Sequence, residues 1–193
     1  MYILKKVRSA LIKGNVFNLK VGDLYDHGGV KGVIISLDAS GKHGLIMSLR
    51  RKHCQWYDGD YDVNTHARHA FDGKQNQDYV LSNYGSSHYP AFRWCASLGN
   101  GWYLPAIGEL QPLCELSNFR AVENTLATCG DPLFPGENYS DLYLSSTEGD
   151  CNGVSYDTDH TMVQVFCATE RGGSISSDTK RSDYEFARAV HRF

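Results

Sequence analysis

Gly101-Trp102-Tyr103-Leu104-Pro105-Ala106-Ile107-Gly108-Glu109-Leu110 is the stretch whose reading decides the fold. Trp102, Tyr103 and Leu104 are bulky, apolar and consecutive, too many for a solvated loop. Pro105 suits the first turn of a helix, where a missing N–H costs nothing. Ile107, Leu110 and Leu113 then recur at helical spacing, predicting a helix over residues 106–116 that Pro112 kinks. Upstream, Ala91, Trp94, Cys95 and Leu98 share one face of a predicted helix over 89–98, and Gly99-Asn100-Gly101 ends it as a glycine-rich stop should. The stretch therefore reads as a tight corner between two helices, a core staple with no chemistry of its own.

Working outward, residues 32–37 and 44–49 read as two strands. Asp38-Ala39-Ser40-Gly41-Lys42 between them is rich in turn formers, so the pair forms an antiparallel hairpin. Residues 1–20 form an N-terminal arm, a short strand or extended segment, and residues 21–193 form one domain. The segment from 50 to 77 is a long polar and aromatic loop, of the kind that is functional or packed by its own side chains. Asp72-Gly73-Lys74 is a turn, and a helix starts near Asp78. Residues 118–128 form a short helix with Val122 and Leu126 on its apolar face. Strands follow at 142–146 and 162–166, the second alternating inward and outward, and at 184–193. Polar loops cover 148–160 and 170–183, the latter turning at Gly172-Gly173.

Composition narrows the function class. The chain has 193 residues, 41% hydrophobic and 21% charged, which is globular. A formal net charge of -3 gives no reason to expect a nucleic-acid or anionic-membrane partner. No apolar run reaches the length of a transmembrane helix. The first residues thread Lys5, Lys6 and Arg8 among apolar neighbours, so no signal peptide is evident. The six cysteines include no C-x-x-C, which argues against zinc ribbons and thioredoxin-type sites. Mostly free thiols are expected, with Cys151 and Cys167 as the pair to test. His66 and His69 have H-x-x-H spacing but no fixed acidic third ligand. No glycine-rich phosphate loop follows a strand, and there is no G-x-S-x-G elbow. The acids Asp58, Asp60, Asp62, Glu148, Asp150, Asp157 and Asp159 read as solvated loop residues, and their spacing does not fit an EF-hand.

Between Ser145 and Tyr184 the positions outside strands are nearly all Ser, Thr, Asp, Asn, Gly, Tyr or His. Such residues make an adaptable binding face, with Tyr supplying rigid area and the small polar residues supplying hydrogen bonds. They are also ordinary loop formers.

Several blocks together resemble the Lcl C-terminal (DUF1566) domain family. They are Gly22-Asp23-Leu24-Tyr25 with the hairpin; Asp72-Gly73-Lys74 and Asn76 as a D-G-x-x-N element; residues 91–98 with the corner stretch; Tyr143-Leu144-Ser145-Ser146-Thr147-Glu148; and Ala187-Arg188-Ala189-Val190. Leu144 stands where the family often has an aromatic, and Ala187 and Ala189 replace Val and Pro. The resemblance covers about residues 20–193. It implies an α+β, C-type-lectin-like fold related to formylglycine-generating enzymes, with antiparallel hairpins, two or three helices and long loops. The calcium-binding E-P-N, Q-P-D and W-N-D motifs of lectins are absent, as is a cysteine pair placed as in the enzymes. No cofactor, no metal and no enzymatic activity are therefore expected. The chain is also similar to the variable proteins of diversity-generating retroelements, whose C-terminal region carries the binding site.

These readings lead to a recognition protein that displays a variable loop face on a C-type-lectin scaffold, on a phage particle or a bacterial cell surface. Tyr156, Asp157, Asp159, His160, Ser177, Asp178, Arg181 and Tyr184 are its expected ligand contacts. The partner is a protein or glycan receptor on another cell or particle, with no nucleic acid and no membrane insertion; a homotrimer assembled through the arm suits the phage case. The alternatives are a structural fimbrial or cell-surface subunit, or an enzyme of the formylglycine-generating type.

Overall fold

A computed structural model describes residues 9–10, 18–61, 63–135, 141–149, 162–183 and 185–193. The fold is α+β, built on two sheets. The first joins β1 (Ser9–Ala10), β2 (Leu24–His27), β3 (Val30–Leu37), β4 (Gly44–Met47), β6 (Trp102–Tyr103) and β11 (Val190–Arg192), in the order β1-β2-β3-β4-β11-β6. The second joins β5 (Lys52–His53), β7 (Asp141–Glu148), β8 (Met162–Thr169), β9 (Gly172–Thr179) and β10 (Glu185–Ala187), in the order β5-β10-β7-β8-β9. The helices are α1 (Gly73–Tyr84), α2 (Pro90–Ser97), α3 (Ile107–Leu110) and α4 (Leu116–Cys129), with a 3-10 turn, Gln111–Cys114, between the last two.

Both faces of the central strands are buried. Val33, Ile34 and Ile35 are consecutive and fully buried. Ile34 packs with Val80 of α1 and Phe92 and Cys95 of α2. Val33 and Ile35 pack with Phe119, Val122 and Leu126 of α4. A strand with two covered faces reads as a continuous apolar run, not as alternation. The same holds for β8, where Val165 and Phe166 face opposite cores; the inward–outward alternation expected there is corrected. Each such side chain contributes about 1.5–3 kcal/mol on burial.

The corner stretch belongs to both cores. Trp102 and Leu104 join the α1/α2 core, and Tyr103 joins the α4 core. Three bulky residues in a row are accommodated because β6 is a strand and its side chains alternate. β6 pairs with β11, Val190 opposite Tyr103 and His191 opposite Trp102. Gly101 sits at φ +85, and a Cβ there would strike the His191 ring, so the chain can enter β6 only through glycine.

Glu109 fastens the corner. Its Oε2 accepts from the backbone N–H groups of Gly73 (3.0 Å) and Ala106 (2.9 Å), and its Oε1 from Tyr103 Oη (2.8 Å) and Arg192 Nη2 (3.1 Å). The start of α1, the start of α3, β6 and β11 thus meet on one carboxylate. Neighbouring polar groups complete the joint. Gln77 donates to Trp102 O and accepts from Leu104 N. Ser146 N donates to Pro105 O, and Thr147 Oγ1 accepts from Ile107 N. Asn76 donates to Ser146 Oγ and to His69 O. Asp72 caps α1 through Gln75 N, and Gly73 lies so close to Leu104 O and Ala106 N that a Cβ would collide. The D-G-x-x-N, G-W-x-L-P and S-S-T-E blocks are therefore one interlocked joint.

Four local expectations are corrected. The helix placed near Asp78 begins at Gly73, because Asp72 is its cap. The 106–116 helix is one turn of α-helix followed by the 3-10 turn, because Pro112 has no N–H to continue the ladder. The described residues contain four α-helices where two or three were expected. The strand expected over 184–193 changes sheet: β10 lies in one and β11 in the other. Arg188 sits at the crossing, fully buried, donating to Ser48 O (2.8 Å) and Asp131 O (2.8 Å).

Glu109→Ala should destabilise the fold by about 3 kcal/mol, since it strands two buried backbone donors and the Tyr103 hydroxyl. Tyr103→Phe, which removes one donor, should lose only about 1 kcal/mol. Urea unfolding of both variants checks the order; equal losses would show that Glu109 is not the hub.

Candidate functional site

The expected ligand contacts divide into two groups. Tyr156, Asp157, Asp159, His160 and Tyr184 lie outside the described residues. Ser177, Asp178 and Arg181 lie within them and come together at one corner of the second sheet. Ser177 and Asp178 do not sit on a loop as expected: Gly172–Thr179 is the edge strand β9, and the turn falls at Glu170-Arg171, before Gly172-Gly173. Small polar side chains hid the strand, because edge position demands no alternating apolar face. Ser177 pairs with Gln164 and Asp178 with Val163 on β8. Arg181 is exposed in the turn that leaves β9, and its carbonyl accepts from Gln55 Nε2 (2.7 Å).

Beneath this corner lies a buried charged layer that the sequence reading missed. Lys180 is 2% exposed. Its ammonium is ion-paired with Glu148, donates to Val63 O (2.6 Å), and stands 5.0 Å from the Trp56 ring centroid. Trp56 is fully buried and donates through Nε1 to Ser145 O (3.0 Å). Glu148 Oε1 also accepts from Thr65 N (2.9 Å). Glu148 is thus a structural ion-pair partner and not the solvated loop acid expected. Lys180 carries no sequence mark of burial, since it is flanked by Thr179 and Arg181 and has no apolar periodicity.

Glu185, at the start of β10, is also fully buried. Neither of its carboxylate oxygens meets a partner at full hydrogen-bond geometry among the described residues, although Asp178 and Ser182 stand beside it. Burial, followed by side-chain hydrogen bonding with Asp178, pushes its pKa up to about 8. At neutral pH it is mostly a neutral acid beneath Asp178. The corner therefore presents Ser177, Asp178 and Arg181 above a layer whose charges are either paired or suppressed. Such an arrangement holds the backbone of this corner in place. It assembles no nucleophile–base pair among the described residues.

The remaining candidates are dispersed. His66 and His69 are exposed and not helical, so the H-x-x-H spacing does not converge. No group of three or more His, Cys, Asp or Glu that could hold a metal occurs among the described residues. Cys54, Cys95, Cys114, Cys129 and Cys167 are free thiols; Cys151, the expected partner of Cys167, lies outside the described residues.

Two outcomes test this layer. Lys180→Met should destabilise by about 3–5 kcal/mol, because it leaves Glu148 buried without its cation; a loss below about 1 kcal/mol by urea unfolding would refute the pairing. Glu185 binds its proton more tightly folded than unfolded, so its contribution to stability is full below its unfolded pKa and is lost as pH rises through about 8. Glu185→Gln should therefore gain stability relative to wild type between pH 5 and pH 9 by at least about 1 kcal/mol, one pKa unit's worth. A constant difference between the two proteins at both pH values would refute it.

No protein-family model matches the chain, and no curated protein does. Among solved structures the fold is similar to a fimbrial protein from Bacteroides ovatus ATCC 8483, with a TM-score of 0.59 at 15% identity, over 90% of this chain and 48% of that one. This chain spans about half the length of that protein, and a likeness at this identity concerns the fold alone. No helix among the described residues is long and apolar enough to cross a membrane.

Proposed function

We propose that this chain is a non-catalytic module of a fimbrial or other cell-surface subunit, built on a C-type-lectin-like scaffold of the Lcl C-terminal type. The observation that carries the proposal is the likeness, over nine-tenths of the chain, to half of a fimbrial protein. The interlocked D-G-x-x-N, G-W-x-L-P and S-S-T-E blocks support the family resemblance, since each block has a structural reason to keep its residue types. In this role the two sheets and the Glu109 joint supply a rigid body, and outward surfaces supply the contacts between subunits.

A second reading, ligand recognition by the late region of the chain, is favoured by one observation. Ser177, Asp178 and Arg181 project from backbone held by the Lys180–Glu148 pair and by Gln55. A backbone secured in this way presents its side chains in a fixed geometry, as recognition requires. In its retroelement form this reading requires a nearby reverse transcriptase and a template repeat differing only at adenine positions of the codons for residues 155–184; a genome lacking both removes that form.

Shearing intact native cells should release the chain with other surface appendages. Recovery only from the soluble interior would overturn the surface assignment. Arg181→Glu separates the two readings: incorporation into sheared material falls if the corner is a subunit joint, whereas incorporation persists and adhesion to partner cells falls if the corner binds a ligand.

A further inference from the structure

We propose that the groove between β5 and α2 binds a small carboxylate carried on a ring with one apolar face, as in an acidic sugar or an aromatic acid. The site is separate from the β9 corner and does not depend on the surface assignment.

The groove has a volume of about 320 Å³ and is lined by Lys52, Cys54, Pro90, Arg93, Trp94 and Ser97. That is the lower end of the range for small-molecule sites, room for a single ring with its substituents. Its helical wall follows from sequence spacing. Pro90, Trp94 and Ser97 fall at steps of four and three on α2, with Arg93 four residues before Ser97. Its other wall is β5 and the residue after it, at the edge of the second sheet. Trp94 is half-buried, its packed side joined to the α1/α2 core, so one indole surface remains for a ring to stack on.

The charges select the ligand. Lys52 and Arg93 are exposed and carry no carboxylate partner among the described residues. Both line the groove together with the Cys54 thiol. Arg93 Nη1 donates to Ser86 O and Ser87 O, both at 2.9 Å. These bonds orient the guanidinium without neutralising it and leave donors for a planar carboxylate. Two uncompensated cations flanking one apolar groove stand out on a chain of net charge -3. The acidic groups nearby do not cancel them: burial pushes Cys54 up to about 11, and buried Glu185 is mostly protonated at neutral pH. With part of one cation already engaged by carbonyls, the groove suits a single negative charge, since a dianion on apolar walls needs more donors than these.

The test is a titration of the full chain, labelled with nitrogen-15 and followed by the Trp94 indole N–H signal, assigned through Trp94→Phe. Glucuronate and benzoate are the probes, and glucose and benzamide their neutral counterparts. At least one acid should shift the Trp94 signal saturably, its neutral counterpart should not, and the acid that binds identifies the source of the carboxylate. Lys52→Gln and Arg93→Gln should each weaken binding about tenfold. The Trp56 indole signal, buried and bonded to Ser145 O, reports that each variant remains folded. The proposal is overturned if neither acid perturbs Trp94 at millimolar concentration, if the neutral compounds bind as well, or if Lys52→Gln binds like wild type.

Discussion

The carboxylate of Glu109 is the interaction on which the architecture depends. It is 6% exposed, and burying an anion is unfavourable unless its lone pairs are satisfied. Here they are, by two backbone N–H groups, a tyrosine hydroxyl and an arginine. The donors come from residues 73, 103, 106 and 192, so a single side chain ties the first helix, the corner and the last strand. Because charge-assisted hydrogen bonds are short and directional, they set not only stability but the relative placement of elements far apart in the chain. Gly73 must be glycine for the backbone to come this close.

A buried cation plays the same part where the chain changes sheets. Arg188 is fully buried and bonded to backbone carbonyls from two loops, with its guanidinium 5.6 Å from the Tyr143 ring centroid. The C-terminal segment therefore closes both sheets, through β10 and β11. Lys180 repeats the device under the β9 corner, with Glu148 as its counter-ion. In each case a charge is removed from water and held by several polar groups, which specifies geometry more than it adds net stability.

The legible parts of this chain were those with short-range causes. The hairpin of β3 and β4 follows from two apolar runs around Asp38, whose Oδ1 accepts from Ser40 N (3.0 Å) and makes the turn local. The helix of Pro90–Ser97 follows from its apolar face. The Trp102/Pro105 corner reads as a core staple from its residues alone, but its mechanism is not visible there. Nothing in the spacing reveals that Tyr103 leaves the core of its two neighbours, or that Glu109 accepts from Gly73. The β9 segment reads as loop because Ser174, Ser176 and Ser177 are poor strand formers; β8 holds them in a strand through its own ladder. For the candidate site, Ser177, Asp178 and Arg181 stand out in the sequence by residue type, but the charged layer beside them does not, since burial of Lys180 and Glu185 is a property of what covers them.

The amino-acid sequence by itself determined the mixture of strands and helices, the turns and the helix faces, because propensity and periodicity act within a few residues; the grouping of the blocks came from the family resemblance. Only the tertiary structure decided that each central strand is buried on both faces, that the last segment crosses between sheets at Arg188, and that Lys52 meets Arg93 across a groove. Those outcomes depend on contacts between residues tens of positions apart. Their partners are chosen by which buried polar groups can be satisfied together, and no local pattern encodes that choice.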